Sequence, residues 1–287
     1  MKFFKKILRT LERVFLFVYL YALNAKISRQ IVDPYADVVV TLTSHSERIK
    51  RVFATIESIG RGYILPRRII LFLGFEYAGK ELPSNLKRLA KRGLEIKFCE
   101  DLGPHTKYFP YLQTESELAS PLVTADDDKI YDKDWLLELF QAWKQDPATV
   151  HCFRARKITF ENGKLTPYRD WPLCSKTSPS LVNFATGVSG VIYPPNLQVA
   201  IKNAGIIFLE CCPRADDIWL HANTIRNGFR IRQIEEQSRH FFGIPGSSRS
   251  ALHVTNLAGG DNDIQILRTY NERDLRVMQQ AEFSINS

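Results

Sequence analysis

Residues 119–131 read Ala-Ser-Pro-Leu-Val-Thr-Ala-Asp-Asp-Asp-Lys-Ile-Tyr, a short apolar run, Leu122–Ala125, that ends on Asp126, Asp127 and Asp128. Three adjacent carboxylates at the end of such a strand are costly. They repel one another, and each loses hydration near a core. A divalent cation with a phosphate on its far side removes that cost, and Mg²⁺ is typically held by one or two carboxylates plus substrate phosphates. The competing reading is an acidic turn that caps the next helix, with which Lys129-Ile130-Tyr131-Asp132 is compatible.

Outward from this stretch the same pattern recurs. Val38–Thr43 is a β-branched run suited to a strand covered on both faces. Ser44-x-x-Glu47 has the form of a capping box, ahead of a helix with Ile49, Val52, Phe53 and Ile56 on one face and its end at Gly60. Arg68–Phe72 and Glu95–Cys99 read as two more strands, separated by a helix carrying Leu86, Leu89 and Ala90 and stopped by Gly93. After the aspartates, Leu136, Leu139, Phe140 and Trp143 align on a helix that ends at Pro147. Repeated β-α-β units predict an α/β fold with a mainly parallel central sheet flanked by helices. In such sheets ligands bind outside the carboxyl ends of the strands. Ser44 and His45, the loop Gly103-Pro104-His105-Thr106-Lys107 and Asp126–Asp128 all fall at those ends. The loop offers a turn, a hydroxyl and a mobile cation with which to wrap a phosphate. Neither a Walker A loop nor the Gly-x-Gly-x-x-Gly fingerprint occurs, which argues against a dinucleotide cofactor.

The second half is less regular. Thr149–Phe160 reads as one long strand, returned by the turn Glu161–Lys164. Ala185–Tyr193 carries Gly187 and Gly190 and runs into Pro194-Pro195. Ala215-Asp216-Asp217 opens a helix with Ile218, Ala222 and Ile225 on one side, and Arg230–Ile234 is a final strand. A second acidic pair far from the first suits a general base, although two aspartates also complement the dipole at a helix start.

The chain has 287 residues, 45 % of them hydrophobic, enough for one large domain or two small ones. Of the net charge of +8, the first 30 residues supply six, because seven lysines and arginines there face only Glu12. The body is nearly neutral, which disfavours nucleic acid as a partner. Five cysteines at spacings unlike a zinc site suggest free, buried thiols and a reducing compartment. At the amino terminus Phe4, Ile7, Leu8, Leu11, Phe15 and Val18 fall at helical spacing, with Lys2, Lys5, Lys6, Arg9 and Arg13 mostly off that stripe. Residues 1–30 therefore read as a basic amphipathic helix. Its apolar stretch, Val14–Leu23, is about half the ~20 residues needed to span a bilayer. Such a helix suits an anionic membrane surface; the other reading packs it on the body or on a second copy in a homodimer. Ser28–Tyr35 looks like a linker.

In order, Val38–Ser46, Gly103–Pro110, Leu122–Tyr131, Thr186–Pro195 and Arg214–Leu220 resemble bacterial GT-A-type nucleotide-sugar glycosyltransferases, in particular family-2-like enzymes of surface polysaccharide or lipopolysaccharide synthesis. The resemblance spans about residues 37–265. It implies a GT-A-like catalytic domain over 37–287, with a nucleotide-binding half (37–148), a smaller, antiparallel acceptor half (149–265) and a tail (266–287). It places Thr43, Ser44 and His45 at the nucleotide base, and Lys107, Asp126, Asp127, Gly187 and Gly190 around the donor. Asp126 and Asp128 become a D-x-D metal site for Mn²⁺ or Mg²⁺, with His253 as a weak third ligand. Asp217, ahead of Asp216, becomes the base of an inverting reaction.

The expected reaction is metal-dependent transfer of a hexose from a nucleoside-diphosphate sugar, a UDP-sugar by preference, to a glycan or lipid-linked hydroxyl, at the cytoplasmic face of a bacterial membrane. A sugar-phosphate nucleotidyltransferase is the enzymatic rival, but it needs a glycine-rich loop that Thr43-Ser44-His45-Ser46 lacks. A non-catalytic, membrane-docked glycan binder is the other.

Overall fold

The computed structural model describes residues 2–246 and 260–286, with side chains from residue 8 to residue 282 in those ranges. The chain opens with helix α1 (Lys2–Lys26), followed by strand β1 (Val39–Thr43), α2 (Phe53–Ile59), β2 (Arg68–Gly74), α3 (Ser84–Ala90) and β3 (Leu94–Cys99). Next come α4 (Phe109–Thr114), β4 (Leu122–Thr124), β5 (Lys129–Ile130), α5 (Trp135–Gln145), β6 (Thr149–Cys152) and β7 (Ala155–Lys157). A hairpin of β8 (Phe160–Glu161) and β9 (Lys164–Leu165) leads to β10 (Asn183–Ala185), β11 (Val191–Tyr193), α6 (Pro195–Asn203) and α7 (Phe208–Cys211). Then α8 (Asp216–Arg226), β12 (Arg230–Gln233), β13 (Phe242–Gly243) and helices over Asp261–Thr269 and Glu272–Asn286 complete the described chain.

Seven strands form the central sheet, in the order β12-β6-β11-β4-β1-β2-β3. All neighbours pair in parallel except β11, which runs against both β4 and β6. The expected mainly parallel α/β sheet is thus present, with small antiparallel sheets beside it. Val38, Val40 and Leu42 with Ile69, Leu71 and Leu73 feed the core on one face, and Val39, Ile70 and Phe72 that on the other. Burial on both faces explains why these strands read as unbroken apolar runs.

Two local expectations change. Thr149–Phe160 is not one strand: β6 pairs within the central sheet and β7 with β10 in another, so the chain changes sheets at Phe153 and Arg154. The segment Ala185–Tyr193 also joins two sheets, with β10 ending at Ala185 and β11 starting at Val191, around a 3-10 turn at Gly187–Ser189. Ser44 caps nothing: its hydroxyl donates to Asp127, and Glu47 pairs with Lys50 instead.

Helix α1 uses two faces. Leu20 is fully buried with Leu16, Phe17 and Leu23 beside it, packed towards α2 and α3. Asn24 donates to Glu57 Oε1 at 2.9 Å and to the Asn85 carbonyl at 3.1 Å. The stripe anticipated from sequence points elsewhere: Leu8, Leu11, Phe15 and Val18 are exposed. Phe4 and Ile7 lie outside the described side chains. Among the described residues no helix is long and apolar enough to cross a membrane.

Candidate active site

β4 is hydrogen-bonded by β1 on one side and β11 on the other, so the aspartates leave the sheet at its middle. α2 holds their turn. Thr55 Oγ1 lies 3.0 Å from the Asp127 carbonyl oxygen and 2.6 Å from that of Lys129. Ser58 Oγ accepts the Tyr131 N–H at 3.0 Å, and the Tyr131 hydroxyl accepts the Asp126 N–H at 2.9 Å.

Each aspartate meets a cation of the chain itself. Asp127, 6 % exposed, accepts Ser44 Oγ–H at 2.7 Å and Arg48 Nη1 at 2.6 Å. Arg48 Nη2 reaches Asp128 Oδ2 at 3.3 Å, and Lys129 Nζ lies 3.0 Å from Asp128 Oδ1. Lys107 Nζ donates to Asp126 Oδ1 at 2.9 Å. The crowding that suggested an added ion is therefore already relieved by side chains. Burial raises the Asp127 pKa against Arg48 and Ser44. Burial also pushes Asp126 up, but Lys107 outweighs it and holds that carboxyl below its usual range.

Lys107 Nζ also stands 3.3 Å from Asp216 Oδ2 at the start of α8. Burial alone would lower its pKa; Asp126, Asp216 and Asp217 outweigh that and keep the ammonium well above the usual lysine range. Asp217 Oδ1 accepts the Gly187 N–H at 3.0 Å. Burial first, and the Asp216 charge second, raise the Asp217 pKa to about 8, which favours its protonated form well above the usual carboxylate range.

The remaining sequence candidates separate. The Thr43 hydroxyl donates to the Phe72 carbonyl at 3.1 Å, so it and Ser44 serve the scaffold. His45 is exposed on the rim, Nδ1 3.3 Å from Ser46 Oγ. The 103–107 loop closes on itself as a 3-10 turn. Thr106 Oγ1 accepts the Leu102 N–H at 2.8 Å, and buried His105 bonds Tyr108 and the Cys212 carbonyl, so Lys107 alone reaches the aspartates. A Cβ on Gly187 would sit 3.1 Å from Asp217 Oδ1 and 3.4 Å from Lys107 Nζ, a close approach that suits glycine. Gly190 (φ 96°) is instead a packing position, where a Cβ would meet the Trp135 indole nitrogen at 2.5 Å. His253 lies outside the described residues. Arg48 escaped the sequence reading; only the adjacency of β1 and β4 brings it to residues 79 and 80 positions later.

Asp126 and Asp128 present hard carboxylate oxygens of the kind that Mg²⁺ and Mn²⁺ take, each already met by a cation of the chain. Among the described residues no group of three or more His, Cys, Asp or Glu side chains is placed to hold an ion by protein alone.

No family model matches the chain, and no curated protein does. Solved structures do. The mannosyltransferase PcManGT from Pyrobaculum calidifontis, determined with GDP-Man and Mn²⁺, matches at TM-score 0.52 and 15 % identity, over 96 % of this chain and 79 % of that one. Looser likenesses are TarS from S. aureus with UDP (TM-score 0.46, 15 % identity, 72 % of this chain and 59 % of that one) and a 4-diphosphocytidyl-2C-methyl-D-erythritol synthase from Anaerococcus prevotii (0.46, 14 %, 89 % and 100 %). The chain shares a GT-A-like fold with that mannosyltransferase.

Proposed function

We propose that this chain is an inverting nucleotide-sugar glycosyltransferase that moves a hexose to a hydroxyl of a glycan or lipid-linked acceptor in cell-surface polysaccharide synthesis. The observation that carries this reading is Lys107 Nζ, held between Asp126 Oδ1 at 2.9 Å and Asp216 Oδ2 at 3.3 Å. One buried cation joins the acidic turn after β4 to the acidic start of α8, with Asp217 beside it.

In this reading residues 37–148 bind the nucleotide and 149–265 the acceptor. His45 faces the base of the donor, a UDP-sugar. Asp217, once ionised, takes the proton of the acceptor hydroxyl as the oxygen attacks the anomeric carbon. Asp216 positions Lys107, and Lys107 and Arg48 set positive charge where the departing diphosphate gains negative charge. Asp126 and Asp128 would hold Mn²⁺ or Mg²⁺, which when bound would neutralise the diphosphate. The exposed stripe Leu8, Leu11, Phe15 and Val18, with Arg9 beside it, would rest on the anionic inner face of the cell membrane.

A thermal-shift screen of UDP- and GDP-sugars with Mn²⁺ or Mg²⁺ tests donor binding, because a ligand of the native state raises the melting temperature. Release of free nucleoside diphosphate should follow, and should stop on chelation and in Asp217→Asn. Pyrophosphate formed from a nucleoside triphosphate and a sugar phosphate would mark a nucleotidyltransferase. Glycan binding with no turnover of either kind would mark a binder.

A further inference from the structure

Asp217 has a second cationic neighbourhood. Arg154 Nη1 donates to Thr186 Oγ1 at 3.0 Å, and the Arg154 carbonyl accepts the Thr186 N–H at 3.0 Å. The next residue, Gly187, gives its N–H to Asp217. Two positions along from Arg154, Arg156 stacks its guanidinium 5.2 Å from the centre of the Tyr168 ring and donates to the Trp171 carbonyl. Both arginines are half-buried, and the Nε of each is buried without a hydrogen-bond partner. Among the described residues neither has a carboxylate within ion-pair distance. Arg239, by contrast, is met by Asp134, Glu138 and Glu235.

Arg156 acts on Arg154. Burial first, and Arg156 among its neighbours, hold the Arg154 pKa below the usual guanidinium range, with Tyr168 and Asp217 opposing. His240 is likewise lowered by burial and by Arg154 and Lys129, so the positive potential extends across it. Two half-buried guanidiniums without a counter-charge are costly. A bound anion with oxygens for both forks removes that cost, and arginine takes phosphate and carboxylate alike.

We propose that Arg154 and Arg156, beside Tyr168, form an anion-binding subsite next to Asp217, and that the acceptor presented there carries a phosphate or a carboxylate. This rests on the reading of Asp217 as the acceptor-side base.

The test is calorimetric titration of the full chain with glucose 1-phosphate, glucuronate and glucose, with and without UDP and Mn²⁺. At least one anionic probe should bind tenfold or more tighter than glucose with UDP present. That binding should weaken at least tenfold in Arg154→Gln and in Arg156→Gln, and less in Arg154→Lys, which keeps the charge should the glutamine variant fail to fold. Binding of the phosphate alone assigns a phosphorylated acceptor, and of glucuronate alone an acidic sugar. If neither anion binds better than glucose, the proposal is overturned. Anion binding lost in Lys107→Met but unchanged in both arginine variants belongs to the donor side and overturns it equally. Absence of UDP binding with arginine-dependent anion binding intact would remove the glycosyltransferase reading and leave the subsite standing.

Discussion

Replacing Asp216 by asparagine separates the two causes that raise Asp217. The pKa stands at about 8 because the carboxyl is buried and because Asp216 is charged beside it. The substitution removes the second cause and leaves the first. Adjacent helical residues point about 100° apart. At a carboxylate separation of roughly 6 Å and an effective dielectric of about 20, the repulsion is about 3 kcal/mol, or about two pKa units. Lys107, released from Asp216 Oδ2, also becomes freer to act on Asp217. Both changes favour the carboxylate, so the midpoint should fall from about 8 to about 6.

The assay is carbon NMR of the full chain labelled at its aspartate carboxyl carbons, with Asp217 assigned by the resonance missing in Asp217→Asn. At pH 7 the ionised fraction should rise from roughly one-tenth to roughly nine-tenths. The acidic limb of nucleoside diphosphate release should move down with it. Coincident midpoints in the two proteins, or a rise in the variant, would refute the argument. Loss of turnover with an unmoved Asp217 titration would make Asp216 the base.

Asp217→Asn should keep donor binding and lose turnover, and should also alter stability against pH. The folded carboxyl holds its proton between the unfolded value and about 8, so its contribution falls as pH rises through that window, by at most about 1.4 kcal/mol per unit; urea melts of the variant should show a flatter decline from pH 5 to pH 8. Arg48→Gln leaves buried Asp127 without its cation and should cost about 3 kcal/mol, with Asp127→Asn restoring part of it in a double-mutant cycle measured by urea unfolding. Gly190→Ala demands a left-handed conformation and strikes the Trp135 ring, so about 2–4 kcal/mol should be lost, read as a lower melting temperature. Leu11→Asp and Phe15→Asp lie on the exposed face of α1 and should leave the melting temperature unchanged while weakening flotation with anionic liposomes; Leu20→Asp should destabilise the body.

The strands and the polar clusters at their carboxyl ends could be read from the chain because each rests on local order. A β-branched run such as Val38–Thr43, or helical spacing such as Leu136, Leu139 and Phe140, is set by backbone sterics and by the need to bury one face. Local order also misleads. Ser44-x-x-Glu47 has the form of a cap, yet the hydroxyl goes to Asp127, 83 positions on. The apolar stripe of α1 was visible, but the face that docks is the neighbouring one with Leu16, Leu20 and Asn24.

From the chain alone came the alternating architecture, the acidic turn after β4, and the pairing of Asp216-Asp217 with the start of a helix. Tertiary structure alone decided which cation meets which aspartate, that burial raises the Asp217 pKa, and that, among the described residues, Arg154 and Arg156 stand without a carboxylate within ion-pair distance. The physical reason is one of range. Backbone preference acts over a few residues, whereas a buried charge takes its partner from whatever the strand order brings within about 4 Å, however distant in sequence.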